Sequence, residues 1–237
     1  MISAVIPALN EEAEIAETIR ALLAQADEIE VIVVDGGSSD ATVQIAESFG
    51  VVVVRSERGR GKQMHAGALA ARGDILWFIH ADTRACATAT HQMIKALRSP
   101  GIAGGNFTLE FDGHTLGARL LNFVQPLMKM LRCYYGDSTI FVKRGVYFEL
   151  GGFQPYPLFE DADLIGKIRT TGLFLSLPEL VTTSSGRFEG RSFLAACTQW
   201  SAMQLLYWIG VPAETLGPLY APIRRARSRP EASRHAP

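Results

Sequence analysis

Three segments of this chain carry carboxylates where an apolar run gives out or a helix could open. "VIVVD" ends on Asp35, "ILWFIHAD" ends on Asp82 with His80 two residues before it, and "LFEDADL" sets Glu160, Asp161 and Asp163 together. A carboxylate held at the end of a rigid element can accept a hydrogen bond from a ligand, give oxygen to a hard divalent cation, or take a proton from an attacking hydroxyl. Between Asp35 and Asp82, the run "VVVVRSERGRGK" adds Arg55, Arg58, Arg60 and Lys62. Carboxylates with one basic loop suit a nucleotide held through its base, its ribose and a metal-bridged diphosphate, with Arg58 or Lys62 as the phosphate or base contact. Each acid also has a structural use: Asp35 and Asp40 as turn or cap residues, Asp161 and Asp163 as favourable charges in the first turn of a helix. Asp40 is read as a cap. His80 is open to two roles, ligating metal as a neutral imidazole or hydrogen-bonding a backbone carbonyl.

Positioning these groups takes alternating strands and helices, and the first hundred residues supply them. "SAVIP" reads as a strand. Asn10 reads as an N-cap, with Glu11 and Glu12 where the helix dipole favours negative charge, and Ile15, Ile19, Leu22, Leu23 and Ala26 follow at helical spacing. "VIVVD" is apolar on both faces, as in a parallel sheet covered by helices. A turn, a cap and a second helix follow in "GGSSDATVQIAESFG", then the strand "VVVV", the helix "GKQMHAGALAARG" and the strand "ILWFI". This βαβαβαβ series predicts an α/β fold with a mostly parallel sheet. Ligands of such sheets collect at the carboxyl ends of strands, which selects residues 7–12, 35–40, 55–62 and 80–83. Beyond residue 100 the alternation loosens. Strands are expected at "GGNFTLEF", "STIFVKR" and "LFLSLP", and helices over 115–132 (interrupted at Pro126), "FEDADLIGKIRTTG" and 191–209.

At 237 residues and 48% hydrophobic content the chain can bury one large core. It is read as a single domain over 1–221, with 1–100 binding one substrate and 101–221 the other, followed by a basic tail at 222–237 expected to be disordered. A net charge of -1 gives no attraction to nucleic acid, which is excluded as a partner. Three scattered cysteines fit a reducing compartment, hence a cytoplasmic protein. "MISAVIPALNEE" lacks the pattern of a signal peptide. No apolar run reaches the roughly 18–20 residues of a spanning helix. A dinucleotide site is disfavoured, because "PALNEE" after the first strand contains no glycine and "GRGKQMHAG" follows the third strand instead.

The segments "VIPALNEE", "VIVVDGGSSDAT", "GRGKQMHAGALAARGDILWFIHADT", "GDSTIFVKRGVYFELGGF" and "LFEDADL", taken in order, resemble the family-2 glycosyltransferases of the GT-A fold, and most closely their small single-domain bacterial members. The resemblance covers residues 2 to about 170. It implies a GT-A, Rossmann-like mixed sheet, mostly parallel, with helices on both faces. It implies a nucleoside-diphosphate sugar as donor, most simply uridine-linked, with Pro7, Ala8 and Glu11 around base and ribose and Asp35 accepting from the base. "HAD" stands where the family carries its DXD motif, so Ala81 would lie at the donor, Asp82 would hold Mg²⁺ or Mn²⁺, and His80 replaces the first acid. Asp161 matches the family's catalytic base, and inversion at the sugar carbon follows from the same resemblance. Glu160 beside it, Asp137 of "YGDST" and Arg187 of "SSGRFEG" are assigned to the acceptor side; Asp137 equally suits a turn cap, and Arg187 could reach the diphosphate. Two other readings stand beside transfer: a nucleotide-sugar-binding protein without transfer, and a sugar nucleotidyltransferase.

The acceptor is a hydroxyl compound of unspecified kind. Residues 115–135 place leucines, methionines and Phe123 among Arg119, Lys129 and Arg132, a composition that suits core packing, a homodimer contact or an interfacial helix. With "MQLLYWIGV" and the five arginines of the tail, it raises a peripheral contact with the inner face of a membrane and a lipid-linked acceptor.

Overall fold

In the computed structural model the described residues are 1–112, 119, 122, 123, 139–184 and 193–219. Asp137, Arg187, nearly all of the 115–135 stretch and the arginine tail lie outside them.

Four apolar runs form the strands β1 (Ile2–Ala8), β2 (Ile29–Asp35), β3 (Val52–Arg55) and β4 (Ile75–Phe78), joined by α1 (Ile15–Leu23), α2 (Thr42–Ser48) and α3 (Arg60–Ala70). All pairings among these four strands are parallel. The chain continues through β5 (Thr83–Ala85), α4 (Ala89–Arg98), β6 (Ile102–Phe111), β7 (Ile140–Lys143), α5 (Arg144–Glu149), α6 (Glu160–Thr171), β8 (Leu173–Thr183), α7 (Phe193–Trp208) and α8 (Ala213–Leu216). One eight-stranded sheet results, ordered β3-β2-β1-β4-β7-β6-β8-β5. β7 runs antiparallel to both its neighbours, β6 and β8 pair in parallel, and β5 closes the edge antiparallel to β8. The expected fold class, a mixed and mostly parallel sheet with helices on both faces, is the one observed.

Strand residues divide by alternation between two cores, as a pleated sheet requires. Ile2, Ala4, Ile6, Val31, Val33 and Trp77 join α1, α2 and α4 on one face. Val5, Ile32, Val34, Leu76 and Phe78 join α3, α5 and α6 on the other. The close seat of α3 depends on Gly67, where a Cβ would stand 2.3 Å from Val5 Cγ1 and 2.8 Å from Val34 Cγ2. No side chain fits there without displacing two strands.

Two local expectations are corrected. Asn10 is not an N-cap: it sits at φ 56°, and α1 begins only at Ile15 after a turn closed on the Glu11 carbonyl. The strand β5 was not foreseen, being three residues long and stabilised by pairing with the distant end of β8 rather than by its own pattern. Among the described residues, no helix is long and apolar enough to cross a membrane.

Candidate active site

The parallel register sets Ala8 beside Asp35 and Asp35 beside Arg55, so three strand ends meet at one edge of the sheet. Gln63 of α3 locks them: its buried Nε2 donates to the carbonyls of Ala8 and Val34, each at 2.8 Å. Gly36 is needed beneath it, because a Cβ there would lie 2.9 Å from the Gln63 amide carbon. Gln63 escaped the sequence reading because a glutamine inside a helical run carries no local sign of reaching two strands.

Asp35 is 5% exposed. Its carboxylate accepts from the backbone N–H groups of Gly37 (3.1 Å) and Ser38 (3.0 Å). The turn use is therefore realised, while each oxygen keeps a second lone pair for a ligand donor. Asp35 also lines a cleft of about 350 Å³ with Ser38, Asp40, Arg55 and Ser56. Half-buried Pro7 and buried Ala8 lead into the loop carrying Glu11.

The loops after β1 and β2 are laced together. Asn10 N–H donates to Ser38 Oγ, Ser39 N–H to Asn10 Oδ1, Glu11 N–H to Thr42 Oγ1, and Ala41 N–H to Glu12 Oε2. Asp40 accepts from Thr42 N–H at 3.0 Å and Glu12 N–H at 3.1 Å, so it caps α2 and the α1 approach together. Burial opposes its charge, but the donors from Thr42 and Glu12 outweigh this and hold the carboxyl below its ordinary value.

At the end of β4, His80 and Asp82 are 6% and 8% exposed. Thr18 of α1 donates its hydroxyl to the Ala81 carbonyl at 2.7 Å, fixing the middle residue of "HAD" from below. Asp82 Oδ1 accepts from the hydroxyls of Thr83 (3.3 Å) and Thr183 (3.4 Å), and its carbonyl accepts from Ser184 N–H at 3.1 Å. β5 and β8 thus pin Asp82 from both sides. Among the described residues, no three or more His, Cys, Asp or Glu side chains converge on one metal position.

The cations of the basic loop take different partners. Arg58 is exposed, and Lys62 pairs at its surface with Glu57 at 2.6 Å. Arg60, the first residue of α3, turns instead to α6: Nε is bonded to Glu160 Oε1, and Nη2 lies 3.5 Å from Asp161 Oδ2. Because α3 starts at the carboxyl edge of the sheet, this brings Asp161 (4% exposed) to the edge that carries Asp35 and Asp82. Glu160 is 1% exposed, and its carboxylate is bonded to Arg60. Asp163, one step on, pairs with Lys167 at 2.7 Å.

The approach to α6 is shaped by "GGF" and "LFED". Gly151 and Gly152 have φ of 76° and 62°, and a Cβ on Gly152 would stand 2.7 Å from the Tyr147 ring. Buried Tyr147 accepts from Phe153 N–H at 3.1 Å and meets His65 Nδ1 at 3.0 Å; burial raises its phenol, which stays neutral. Phe159 precedes α6 at φ 63°, a conformation a bulky residue rarely adopts. It is held by stacking on Tyr207 of α7, with ring centroids 4.4 Å apart.

The model of "Glycosyl transferase family 2" matches residues 3–157. The "Probable glycosyltransferase YdaM" of Bacillus subtilis (strain 168) is 26% identical over 227 residues, covering 84% of this chain and 54% of that protein. "Glycosyltransferase AglE" of Haloferax volcanii is 26% identical over 192 residues, covering 74% of this chain and 63% of that protein. This chain therefore spans less than two thirds of the length of either relative. Among solved structures, the glucosyl-3-phosphoglycerate synthase of Mycobacterium tuberculosis, in complex with Mn²⁺, UDP and glucosyl-3-phosphoglycerate, superposes with a TM-score of 0.65 at 24% identity, over 90% of this chain and 81% of that one. The mannosyltransferase PcManGT of Pyrobaculum calidifontis, with GDP-Man and Mn²⁺, gives 0.69 at 17%, over 92% and 67%. These two likenesses are likenesses of fold, and the fold is that of the GT-A glycosyltransferases. Matched by the family model over 155 of its 237 residues, this chain belongs to glycosyl transferase family 2.

Proposed function

We propose that this chain is an inverting glycosyltransferase that moves a sugar from a nucleoside diphosphate, uridine-linked, to a hydroxyl acceptor, with Asp161 as the general base. The observation that carries the reading is the delivery of buried Asp161, by its pairing with Arg60, to the strand-end edge where Asp35 and Asp82 stand. The acceptor oxygen attacks the sugar C1 as the C1–O bond to the diphosphate breaks. The hydroxyl proton passes to the Asp161 carboxylate, and the nucleoside diphosphate leaves with the bonding electron pair. A single displacement of this kind inverts C1.

On the donor side Pro7, Ala8, Glu11 and Asp35 take base and ribose, and Ala81 presents its backbone to the diphosphate. Arg58, exposed and uncommitted to α6, is better placed than Lys62 for the phosphates. A hard divalent cation fits the donor set: one buried carboxylate, Asp82, with His80 beside it leaves most of an octahedral shell to phosphate oxygens and water, the usual arrangement for Mg²⁺ or Mn²⁺ at a diphosphate. When bound there, the cation would neutralise charge on the leaving group. The glucosyl-3-phosphoglycerate synthase and mannosyltransferase structures, which contain Mn²⁺ with UDP or GDP-Man, support this choice.

Calorimetric titration with UDP and GDP, with and without Mn²⁺, tests the reading. UDP should bind more tightly than GDP, and Mn²⁺ should tighten it by about tenfold or more; a folded protein that binds neither nucleotide under any condition would sink the proposal.

The acceptor is proposed to carry a lipid, and the enzyme to work at the inner face of a membrane. Leu205, Trp208 and Ile209 are exposed at the end of α7, next to the Tyr207 that stacks on Phe159, and the sequence continues into five arginines. Aromatic and aliphatic exposure beside a polybasic segment suits an anionic lipid surface. The protein should then sediment with anionic vesicles at low salt, less so at high salt or after deletion of residues 224–237. Failure to pellet at low salt removes the lipid.

A further inference from the structure

We infer that Arg60 and Glu160 form a positioning pair for the base Asp161, an assignment that rests on the glycosyltransferase reading above. Glu160 is buried to 1% exposure, beside Asp161 at 4%. Its Oε1 takes the Nε of Arg60, while among the described residues its buried Oε2 has no hydrogen-bond partner. Burying a carboxylate this incompletely satisfied is costly, and replacing such pairs by apolar side chains is commonly neutral or stabilising. Stability alone therefore does not account for the pair, and its geometry offers a reason.

The guanidinium is a planar fork. Once Nε is held by Glu160, the orientation of the remaining nitrogens is set, and Nη2 comes to 3.5 Å from Asp161 Oδ2. That separation is at the outer limit of a hydrogen bond. The cation thus orients Asp161 and faces it with positive charge. Glu160 and Asp161 are consecutive in the first turn of α6, so one arginine engaging both fixes the rotation of that turn about the helix axis. The residue that leads into this turn is held by the Phe159–Tyr207 stack. Gly61 makes room for the loop that leads to α6: a Cβ there would stand 2.5 Å from the Gln154 carbonyl oxygen, while Glu160 Cβ, at 3.5 Å, would be in ordinary contact. Arg60 is thus the residue of the basic loop that meets α6, and it reaches the reaction through Asp161.

The test compares Arg60→Met, Glu160→Gln, Arg60→Lys and the double variant Arg60→Met/Glu160→Met, which replaces the pair with apolar side chains of similar length. Read-outs are kcat and donor KM for release of UDP from a UDP-sugar that the wild type turns over, the UDP dissociation constant by calorimetry, and a thermal melt. Positioning predicts that both single losses and the double variant lower kcat by about 10–100-fold, with donor KM and UDP affinity within threefold of wild type. It also predicts that the double variant melts no lower than the single variants, and that Arg60→Lys, which keeps the charge, recovers part of kcat. A double variant with wild-type kcat would reduce the pair to packing and overturn the proposal. So would Arg60→Met losing tenfold or more in UDP affinity at unchanged kcat, which would make Arg60 a phosphate ligand. A wild-type protein that binds no nucleoside diphosphate with or without Mn²⁺ fails earlier, at the function itself, and takes the pair with it.

Discussion

Asp161→Asn is expected to lower kcat for transfer by about 10²–10⁴-fold, the usual contribution of a positioned general base, while leaving UDP affinity within threefold of wild type. The amide matches the carboxylate in size and can still accept from Arg60, so the 3.5 Å contact survives in some form and the fold should melt close to wild type. What disappears is the basicity. An acceptor hydroxyl is a poor nucleophile until its proton has somewhere to go, and Asn offers no comparable acceptor for it. The informative measurement pairs initial rates with calorimetry on the same preparation, because a loss of rate with intact donor binding separates chemistry from collapse of the site. Full activity in Asp161→Asn would move the base elsewhere. Glu160 is then a poor candidate, being buried and paired with Arg60, and Asp163, half-buried and paired with Lys167, becomes the next acid to replace.

Asp82→Ala should act at the other end of the reaction. Loss of the one carboxylate in "HAD" is expected to weaken Mn²⁺-dependent UDP binding by about 10–100-fold, the scale seen when groups that support a metal are removed, and to leave metal-free binding nearly unchanged. The hydroxyls of Thr83 and Thr183 reach Asp82 Oδ1 at 3.3 and 3.4 Å, long contacts that orient the carboxylate. Titration of UDP into wild type and variant, each with Mn²⁺ and with a chelator, isolates the metal-dependent increment. If that increment persists in Asp82→Ala, the cation is held elsewhere. His80→Ala measured alongside decides the imidazole: a loss comparable to that of Asp82→Ala makes it a ligand, and an unchanged increment leaves it to the backbone.

Much of the first hundred residues was legible because the signals there are local. Short continuous apolar runs such as "VIVVD" and "ILWFI", rich in β-branched and aromatic residues, fit strands buried on both faces, and the helical spacing of Ile15, Ile19 and Leu22 is met within one element. The rule that ligands gather at carboxyl strand ends then picked out Asp35 and Asp82 before any coordinates. The turn after β1 was misread for a local reason of another kind. Asn at a helix approach resembles a cap, but here its side chain is spent on the Ser38–Ser39 loop, 29 residues away, and the backbone takes a left-handed conformation to deliver it.

The sequence by itself determined the fold class, the order of most strands and helices in the chain, the family, and the residue types available at each strand end. Periodicity and motif order are properties of contiguous residues, and they survive reading in one dimension. Only the tertiary structure decided which groups serve one another. It tied Arg60 to Glu160 and Asp161 across 100 residues, took Lys62 out to Glu57, set Gln63 across two strands, and inserted β5 to pin Asp82. Four neighbouring cations and three neighbouring acids look alike along a chain. What distinguishes them is burial and partner geometry, and those arise only when α3 and α6 pack on the same face of the sheet, with a glycine at 61 leaving room for the Gln154 carbonyl of the loop that leads to α6.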